Sequence, residues 1–354
     1  MKANINQFQG CLLGGACGDA LGYPVEFMKL ADIHRAYGPE GITEMRLDGA
    51  TRKALVSDDT QMTLFTANGL LMAAQTAKTS DSGESGPIDG TIRQACWIAY
   101  QRWLYTQIGF CKDKSCLQKF DVDPYPFIME ETALFAQRAP GNTCISALES
   151  GRIGRPDYPL NNSKGCGGVM RVAPCGLLFY KSPERAYDAA VTAAALTHGH
   201  KAGYVAAGAL AYIIACIVNG SDLRAAVNRV MIYLCDHDRG SETYYALHDA
   251  VALSASLEIS RERAIRQLGG GWVAEEALAI AVYCALMASN SRDAITWAVN
   301  HDGDSDSTGA ICGNIVGALY TSADLPIEWK DRIELNKILR LYSYALYVAA
   351  NDLK

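Results

Sequence analysis

The sequence has no excess of positive charge and no long run of Lys or Arg. Its 354 residues include 32 Lys and Arg against 38 Asp and Glu, which gives a formal net charge of −6. Nucleic-acid binding through a broad basic surface is therefore not expected. An acidic protein that takes an anionic substrate needs metal ions or backbone N–H groups to balance the charge.

The chain also has no CxxC pair, although it contains 12 cysteines. Cys111 and Cys116 are the closest couple, and no later residues complete a zinc-binding pattern. The N-terminal residues lack the basic start and apolar run of a signal peptide. We therefore expect a cytoplasmic protein with reduced, mostly buried thiols.

No uncharged segment is long enough to be a clear membrane span. The longest candidate, residues 202–218, has 17 residues and is rich in Ala and Gly, whereas a spanning helix needs about 20. A helix buried on all sides in a large helical protein fits this composition better. We therefore expect no contact with a membrane.

Strand-like alternation of polar and apolar residues is also missing, and helix signals dominate. Ser57 is a favourable N-cap for a helix over residues 58–75. Pro183 suits the first turn of another helix, and Asp222 caps a third. The tail, residues 327–354, has the spacing of one long amphipathic helix. These features predict an all-α fold.

Polar or turn-rich residues interrupt this helical pattern near 79–90 and 111–126, and again over 151–168. We interpret the first two segments as loop insertions in one body. The residues able to do chemistry come from both ends of the chain. We therefore predict a single domain over residues 1–354.

Two groups of acidic and hydroxyl residues each stand at a predicted helix start. We call them the first acidic cluster (Ser57, Asp58, Asp59) and the second acidic cluster (Asp304, Asp306, Ser307). Carboxylate and hydroxyl oxygens are the ligands that Mg²⁺ and Mn²⁺ prefer. The two clusters together could hold two metals about 3.5–4 Å apart.

Each acidic cluster is also typical of simple helix capping, and that alternative stays open for either one alone. An EF-hand calcium loop is a weaker alternative for residues 302–313. That motif needs Gly at its sixth position and Glu at its twelfth, where this chain has Ser307 and Gly313.

A first glycine-rich segment places Gly14, Gly18 and Gly22 four residues apart, on one face of a predicted helix. This spacing favours close packing of helices and is not a dinucleotide-binding fingerprint. Glu26 follows at a predicted turn. Its position alone leaves open whether it enters a cleft or lies on the surface.

A second glycine-rich segment, residues 162–171, is called the glycine loop here. Its exposed N–H groups, with a helix to follow, are suited to a phosphate, although a flexible loop is an equal alternative. His198 lies in a Thr-His-Gly-His sequence, where a substrate hydrogen bond or a core role is favoured over metal ligation. Trp272 could stack on a base or pack in the core.

Taken together, these motifs resemble the ADP-ribosylglycohydrolase family, which includes the dinitrogenase reductase-activating glycohydrolases. The order is G-x-x-x-G-D-A-L-G with a following Glu, then S-D-D-T, G-x-G-G-V-M-R, T-H and D-G-D-S-D-S-T-G-A. The matching motifs span roughly residues 8 to 320.

The resemblance implies a single compact orthogonal helical bundle with a cleft that holds two Mg²⁺ or Mn²⁺ ions. The implied metal ligands are Ser57, Asp58, Asp59, Asp304, Asp306 and Ser307, with Asp304 reaching both ions. The implied catalytic residues are Glu26, Asp58 and Asp304. The implied substrate contacts are Gly165, Gly167, Gly168, Val169, Met170 and His198, and Trp272 is our own addition to them. The family often has Thr at the positions of Ser57 and Ser307, and Ser keeps the hydroxyl.

The implied reaction is hydrolysis of the bond between ADP-ribose and a modified protein side chain, with arginine as the first expectation. Serine-linked ADP-ribose is an alternative, because the family includes enzymes that act on it. A second alternative is an immunity-type protein that occludes an ADP-ribosylating toxin. The expected partner is an ADP-ribosylated protein, and a cognate ADP-ribosyltransferase or toxin is a further candidate.

Overall fold

A computed structural model describes residues 3–79, 88–118, 127–238, 241–256 and 258–353. These residues form sixteen α-helices and no strand, which confirms the all-α prediction. The helices are α1 Ile5–Gly22, α2 Leu30–Tyr37, α3 Asp58–Thr79, α4 Ile88–Ile108, α5 Asn142–Glu149, α6 Ala173–Leu178, α7 Pro183–Ala195, α8 Lys201–Val218, α9 Leu223–His237, α10 Glu242–Ser254, α11 Arg261–Leu268, α12 Ala274–Met287, α13 Ser291–Val299, α14 Ser305–Asp324, α15 Ile327–Arg332 and α16 Asn336–Asp352.

The packing of α1 against α14 organises the centre of the molecule. A Cβ atom added to Gly14 would lie 2.3 Å from the carbonyl oxygen of Gly313, and one added to Gly18 would lie 1.9 Å from that of Gly309. The backbones of the two helices therefore touch, and no side chain larger than hydrogen fits between them. The close helix packing expected from the glycine spacing is confirmed.

The two helices run in opposite directions, so the end of α1 meets the beginning of α14. A Cβ atom added to Gly22 would lie 2.3 Å from the carbonyl oxygen of Ser305. The glycine contacts thus bring the start of α14, with the second acidic cluster, beside the chain that leaves α1 towards Glu26.

The start of α3 is fixed to α1 by one buried carboxylate. Asp19, on α1, accepts hydrogen bonds from the backbone N–H groups of Ser57 at 2.9 Å and Thr60 at 3.1 Å, and from the Thr60 hydroxyl at 2.5 Å. The first acidic cluster is therefore held against the same helix that positions the second.

Helix α8 contains the uncharged segment considered as a membrane span. Of the described helices, only Lys201–Val218 passes a length and composition test for spanning, and 89% of it is buried inside the protein. That burial is typical of a core helix in a soluble protein, as the sequence predicted. It belongs to a core whose buried apolar residues extend from Ala3 to Ala350.

The expectation of one continuous helix over the tail is wrong. The chain leaves α15 after Arg332 and enters α16 at Asn336, with Leu335 in the left-handed region at a φ of 61°. Between them the backbone pairs with Ala54, which donates to the oxygen of Arg332 at 2.8 Å and accepts from Glu334 at 2.9 Å. Those hydrogen bonds interrupt a segment whose side-chain pattern is otherwise helical.

The predicted insertions lie only partly within the described residues. In the first insertion, residues 79–90, helix α3 covers the beginning and helix α4 covers the end, and residues 80–87 lie outside the described part of the chain. In the second, Lys114–Leu117 forms a 3₁₀ turn, and residues 119–126 fall outside. The prediction that residues 1–354 form one domain stays a prediction.

Candidate active site

Glu26 and the second acidic cluster meet at the start of α14. Glu26 follows the 3₁₀ turn Tyr23–Val25 at the end of α1. One carboxylate oxygen from each of Glu26, Asp304 and Asp306 lies within 4.8 Å of the other two. All three residues are buried. The position of Glu26, left open by the sequence, is therefore inside the acidic site.

The first acidic cluster adjoins this group. Asp58 and Asp59 are buried at the start of α3, and Asp58 accepts a hydrogen bond from the N–H of Gly141 at 3.2 Å. Burial raises the pKa of both aspartates, and the negative charge of Asp304 adds to the shift, which places the two clusters in one electrostatic field. The structure thus brings together residues about 245 positions apart in the sequence.

Burial and mutual repulsion raise the pKa values of these carboxyls. Burial, followed by the charges of Asp304 and Asp58, raises the pKa of Glu26 to about 8. Burial also raises the pKa of Asp58 to about 8, and those of Asp59 and Asp306 well above the ordinary value. Such a cluster is unfavourable unless protons or cations neutralise it.

The donor set fits hard divalent cations. Among the described residues, neither Glu26 nor any carboxylate of the two clusters pairs with Lys or Arg. Glu26 Oε2 and Asp59 Oδ2 are buried with no hydrogen-bond partner in that part of the chain. Buried anionic oxygens without protein partners are what a Mg²⁺ or Mn²⁺ site requires.

The two hydroxyls predicted as ligands differ in their surroundings. Ser307 lies among the carboxyls, where its hydroxyl lowers the pKa of Asp59 and of Asp304. Ser57 lies beside Asp19, and the Ser57 hydroxyl lowers the pKa of that carboxyl. Its Oγ accepts a hydrogen bond from the N–H of Asp59 at 3.2 Å. Ser57 therefore caps α3, and a role as ligand stays a prediction.

Asp19 is a site residue that the sequence reasoning did not single out. It is fully buried, and burial raises its pKa to about 6, although hydrogen bonds from Thr60 and Ser57 oppose the shift. Its negative charge raises the pKa values of Glu26, Asp58 and Asp59. The available signal was its position as the one charged residue of α1.

The glycine loop lies over the second acidic cluster. The thiol of Cys166 donates to Asp304 Oδ2 at 2.7 Å, and Ser307 Oγ lies 3.9 Å from the sulfur of Met170. Val169 and Met170 are buried, and their N–H groups both donate to the backbone oxygen of Cys166, at 2.9 and 3.1 Å. The sequence predicted a helix directly after the glycine loop. The helix found there is α6, which begins at Ala173 and is six residues long.

His198 packs against this loop from behind. A Cβ atom added to Gly167 would lie 3.0 Å from Cε1 of His198, and one added to Gly168 would lie 3.4 Å from its Nδ1. Burial, and then the positive charge of Arg171, lower the pKa of His198 to about 3. The imidazole is therefore neutral at physiological pH.

Trp272 lies at the edge of the same loop, where its backbone oxygen accepts from the N–H of Cys166 at 3.2 Å. Its side chain is 44% exposed and stacks on Phe27, with ring centroids 5.7 Å apart. Trp272 is thus a surface aromatic beside the site, not a core residue. Its predicted contact with a base stays a prediction.

A cavity of about 530 Å³ opens beside Glu26. Its lining residues include Tyr23, Glu26, Phe27, Arg46, Asp48 and Leu55. A space of this size holds a small organic ligand or a substituted side chain.

Several known proteins are similar in sequence to this chain over almost its whole length. The ADP-ribosylglycohydrolase family model matches residues 1–353. ADP-ribosylarginine hydrolase Tri1 of Serratia proteamaculans (strain 568) is 24% identical, covering 99% of this chain and 81% of its own length. ADP-ribosyl-dinitrogen reductase glycohydrolase of Rhodospirillum rubrum is 23% identical, covering 92% of this chain and 90% of its own.

The fold agrees with these similarities. A solved structure titled ADP-ribosylglycohydrolase-related protein complex superposes with a TM-score of 0.67 at 24% identity, covering 99% of this chain and 100% of that one. The resemblance noted from the motifs is therefore confirmed. The chain belongs to the ADP-ribosylglycohydrolase family, the enzymes that hydrolyse glycosidic bonds to ADP-ribose.

Proposed function

We propose that this enzyme removes ADP-ribose from modified arginine side chains and that two divalent cations, Mg²⁺ or Mn²⁺, support the reaction. The observation that carries the proposal is the buried group of carboxylates around Glu26 and Asp304, for which the described residues provide no counter-charge. Two relatives support the chemistry, since one is named an ADP-ribosylarginine hydrolase and the other a glycohydrolase of ADP-ribosylated dinitrogen reductase.

The proposed metal ligands are Ser57, Asp58, Asp59, Asp304, Asp306 and Ser307. When bound, the cations would supply Lewis acidity for ribose hydroxyls and for a water molecule. Asp58 and Asp304 would also place negative charge near the anomeric carbon, where positive charge develops as the bond breaks. Glu26 would hold or pass a proton at the leaving nitrogen or at the attacking water.

The substrate side of the proposal rests on the glycine loop. Gly165 and Gly167, which are partly exposed, would face the diphosphate with their backbone, next to His198. The contacts of Gly168, Val169 and Met170 stay predictions, because these three residues are buried. Trp272, exposed at the loop edge, would offer a flat surface to the adenine. The remote part of the substrate would thus be held while the ribose lies over the carboxylates.

Release of free ADP-ribose from defined Arg-, Ser- and DNA-linked substrates tests this function. Each substrate would be incubated with Mg²⁺, with Mn²⁺ and with chelator. We expect release from the arginine-linked substrate, lost with chelator and restored by either cation. Activity that ignores the chelator would contradict the metal proposal. Preferential release from the serine-linked substrate would replace arginine as the acceptor.

An occluding, immunity-type role is the second candidate, and the same protein can distinguish it. Asp304→Ala should abolish hydrolysis. Protection against an ADP-ribosylating toxin that survives this substitution would favour occlusion, with the toxin or its parent transferase as a partner. We place the enzyme in the cytoplasm, where ADP-ribosylated protein substrates would be available to it.

A further inference from the structure

A buried cation lies directly behind the glycine loop. Arg171 has no exposed surface, and no ion pair joins it to a carboxylate within the described residues. Its Nη2 donates to the oxygen of Ala193 at 3.2 Å and to Thr197 Oγ1 at 2.7 Å. Its guanidinium also stacks on the ring of Tyr100, 4.3 Å from the centroid. Burying a charge without a counter-charge is costly, so a functional reason for these contacts is expected.

The contact with Thr197 determines the direction of the next hydrogen bond. A guanidinium can only donate, so Thr197 Oγ1 accepts from Arg171 and keeps its own proton to give. The acceptors near that hydroxyl are His198 Nδ1 at 2.9 Å, the oxygen of Ala194 at 3.5 Å and the sulfur of Cys144, which is a weak acceptor. The shorter distance favours donation to His198 Nδ1.

An Nδ1 that accepts a hydrogen bond leaves the single proton of a neutral imidazole on Nε2. That nitrogen points to the glycine loop. A Cβ atom added to Gly167 would lie 3.3 Å from it, and one added to Gly165 would lie 3.6 Å from it. Gly167 donates its N–H to no other group in the described part of the chain. The loop and His198 together therefore present donors without acceptors, which suits an anionic oxygen.

We propose that Arg171 and Thr197 are positioning residues that fix His198 as an Nε2–H donor to an anionic oxygen of the substrate diphosphate. The identity of that anion rests on the proposed function, whereas the order of hydrogen bonds from Arg171 to His198 rests on geometry alone. The burial that keeps the imidazole neutral agrees with a donor role and argues against His198 as a proton shuttle.

The first test is the tautomer of His198, read from ¹⁵N shifts in the full-length enzyme and assigned by loss of the signal in His198→Gln. We expect Nε2 to carry the proton in the wild type. Thr197→Val removes the hydroxyl without changing the shape much, so the Nδ1–H tautomer should appear. Thr197→Ser should restore the wild-type pattern, and Arg171→Lys, which loses the planar fork, should weaken it.

The second test is substrate affinity in the same variants. We expect Thr197→Val to raise KM, and the Kd of the product ADP-ribose, by about tenfold with kcat within about twofold. Thr197→Ser should recover both values. Thr106→Val is the matched control, because Thr106 is also buried but donates to the oxygen of Trp103, away from the loop.

An Nδ1–H tautomer in the wild type would overturn the proposal, and so would an unchanged KM and Kd in a folded Thr197→Val enzyme. If Thr197→Val does not fold, the wild-type tautomer still decides, because its measurement does not depend on that variant. A wild-type enzyme that neither hydrolyses ADP-ribosyl substrates nor binds ADP-ribose would instead sink the proposed function, whichever tautomer is observed.

Discussion

At the scale of single residues, the site is defined by carboxyls that would repel one another if they stood alone. Asp304 is central, because its charge raises the pKa values of Glu26, Asp58, Asp59 and Asp306. Its Oδ1 also accepts from the N–H of Ser307 at 3.3 Å at the start of α14. The same side chain thus caps a helix and interacts electrostatically with the other four carboxyls. The helix-capping alternative left open by the sequence therefore applies to Asp304, and its role as a metal ligand stays a prediction.

Asp304→Asn tests the charge separately from the cap. Asn is also a favourable N-cap, so α14 should keep its start, while one negative charge is lost from the site. We expect hydrolysis to fall at least ~100-fold and far-UV circular dichroism to stay unchanged. The control is Asp249→Asn, at a carboxylate that is 67% exposed on α10. A variant with near wild-type activity would contradict the role of Asp304.

His198 gives a prediction about pH. Its pKa is about 3 in the folded protein, against an ordinary histidine value of 6.5 that applies to the unfolded chain. Below pH 6.5 the unfolded state therefore binds a proton that the folded state does not. The neutral, buried His198 therefore contributes to the stability of the folded protein above pH 6.5, and this contribution is lost as the pH falls. By pH 5 the loss is about 2 kcal/mol.

Urea unfolding at pH 7.5 and pH 5 measures this effect. Lowering the pH from 7.5 to 5 should reduce the free energy of unfolding of the wild type by about 2 kcal/mol more than that of His198→Gln. Gln does not titrate, so other ionisable groups cancel in the comparison. A difference that is the same at both pH values would show that His198 is protonated alike in both states.

At the scale of elements, glycine is what allows α1 and α14 to meet. Gly18→Val should force the helices apart, because the added Cβ would lie 1.9 Å from the backbone oxygen of Gly309. We expect the free energy of unfolding to fall by about 1–3 kcal/mol or more, and the site to lose activity as its halves separate. Gly49→Ala is the control, since a Cβ there meets nothing within 4 Å. An active, equally stable Gly18→Val enzyme would refute this account of the packing.

The elements also show what could be predicted from sequence. The periodic signals were sufficient for α3, α7 and α9, and Gly14, Gly18 and Gly22 indicated close packing. The turn at Leu335 was not predictable, because the residues before it, Arg332 and Glu334, hydrogen-bond to Ala54, about 280 residues away. No local pattern placed Glu26 beside Asp304 and Asp306; only the family resemblance implied that Glu26 and Asp304 share a site, and the structure shows the three carboxylates together. Long-range contacts of this kind leave no local pattern.

At the scale of the whole molecule, the site depends on both ends of the chain. Glu26, near the N-terminus, lies beside Asp304 in the C-terminal third of the chain, and Asp19 is close enough to Glu26 for its charge to raise the pKa of that residue. Any split of the chain between them would divide the site. The prediction of one domain over residues 1–354 therefore has a thermodynamic consequence.

We expect thermal unfolding, followed by far-UV circular dichroism and by tryptophan fluorescence, to give one coincident transition. Mg²⁺ or Mn²⁺ at 100 times its Kd should stabilise the wild type by about 2.7 kcal/mol for each site and raise its Tm. The Asp304→Asn variant should show little of this increase. Two separate transitions, with only one sensitive to the cation, would contradict the single domain.

The central claim is that the two acidic clusters form one site for two divalent cations. Crystals of the full-length enzyme grown with Mn²⁺ test it most directly through anomalous scattering. We expect two anomalous peaks among the carboxylates of Glu26, Asp58, Asp59, Asp304 and Asp306, and their loss in Asp304→Asn crystals. No peak at this position, or Mn²⁺ bound only elsewhere on the protein, would contradict it.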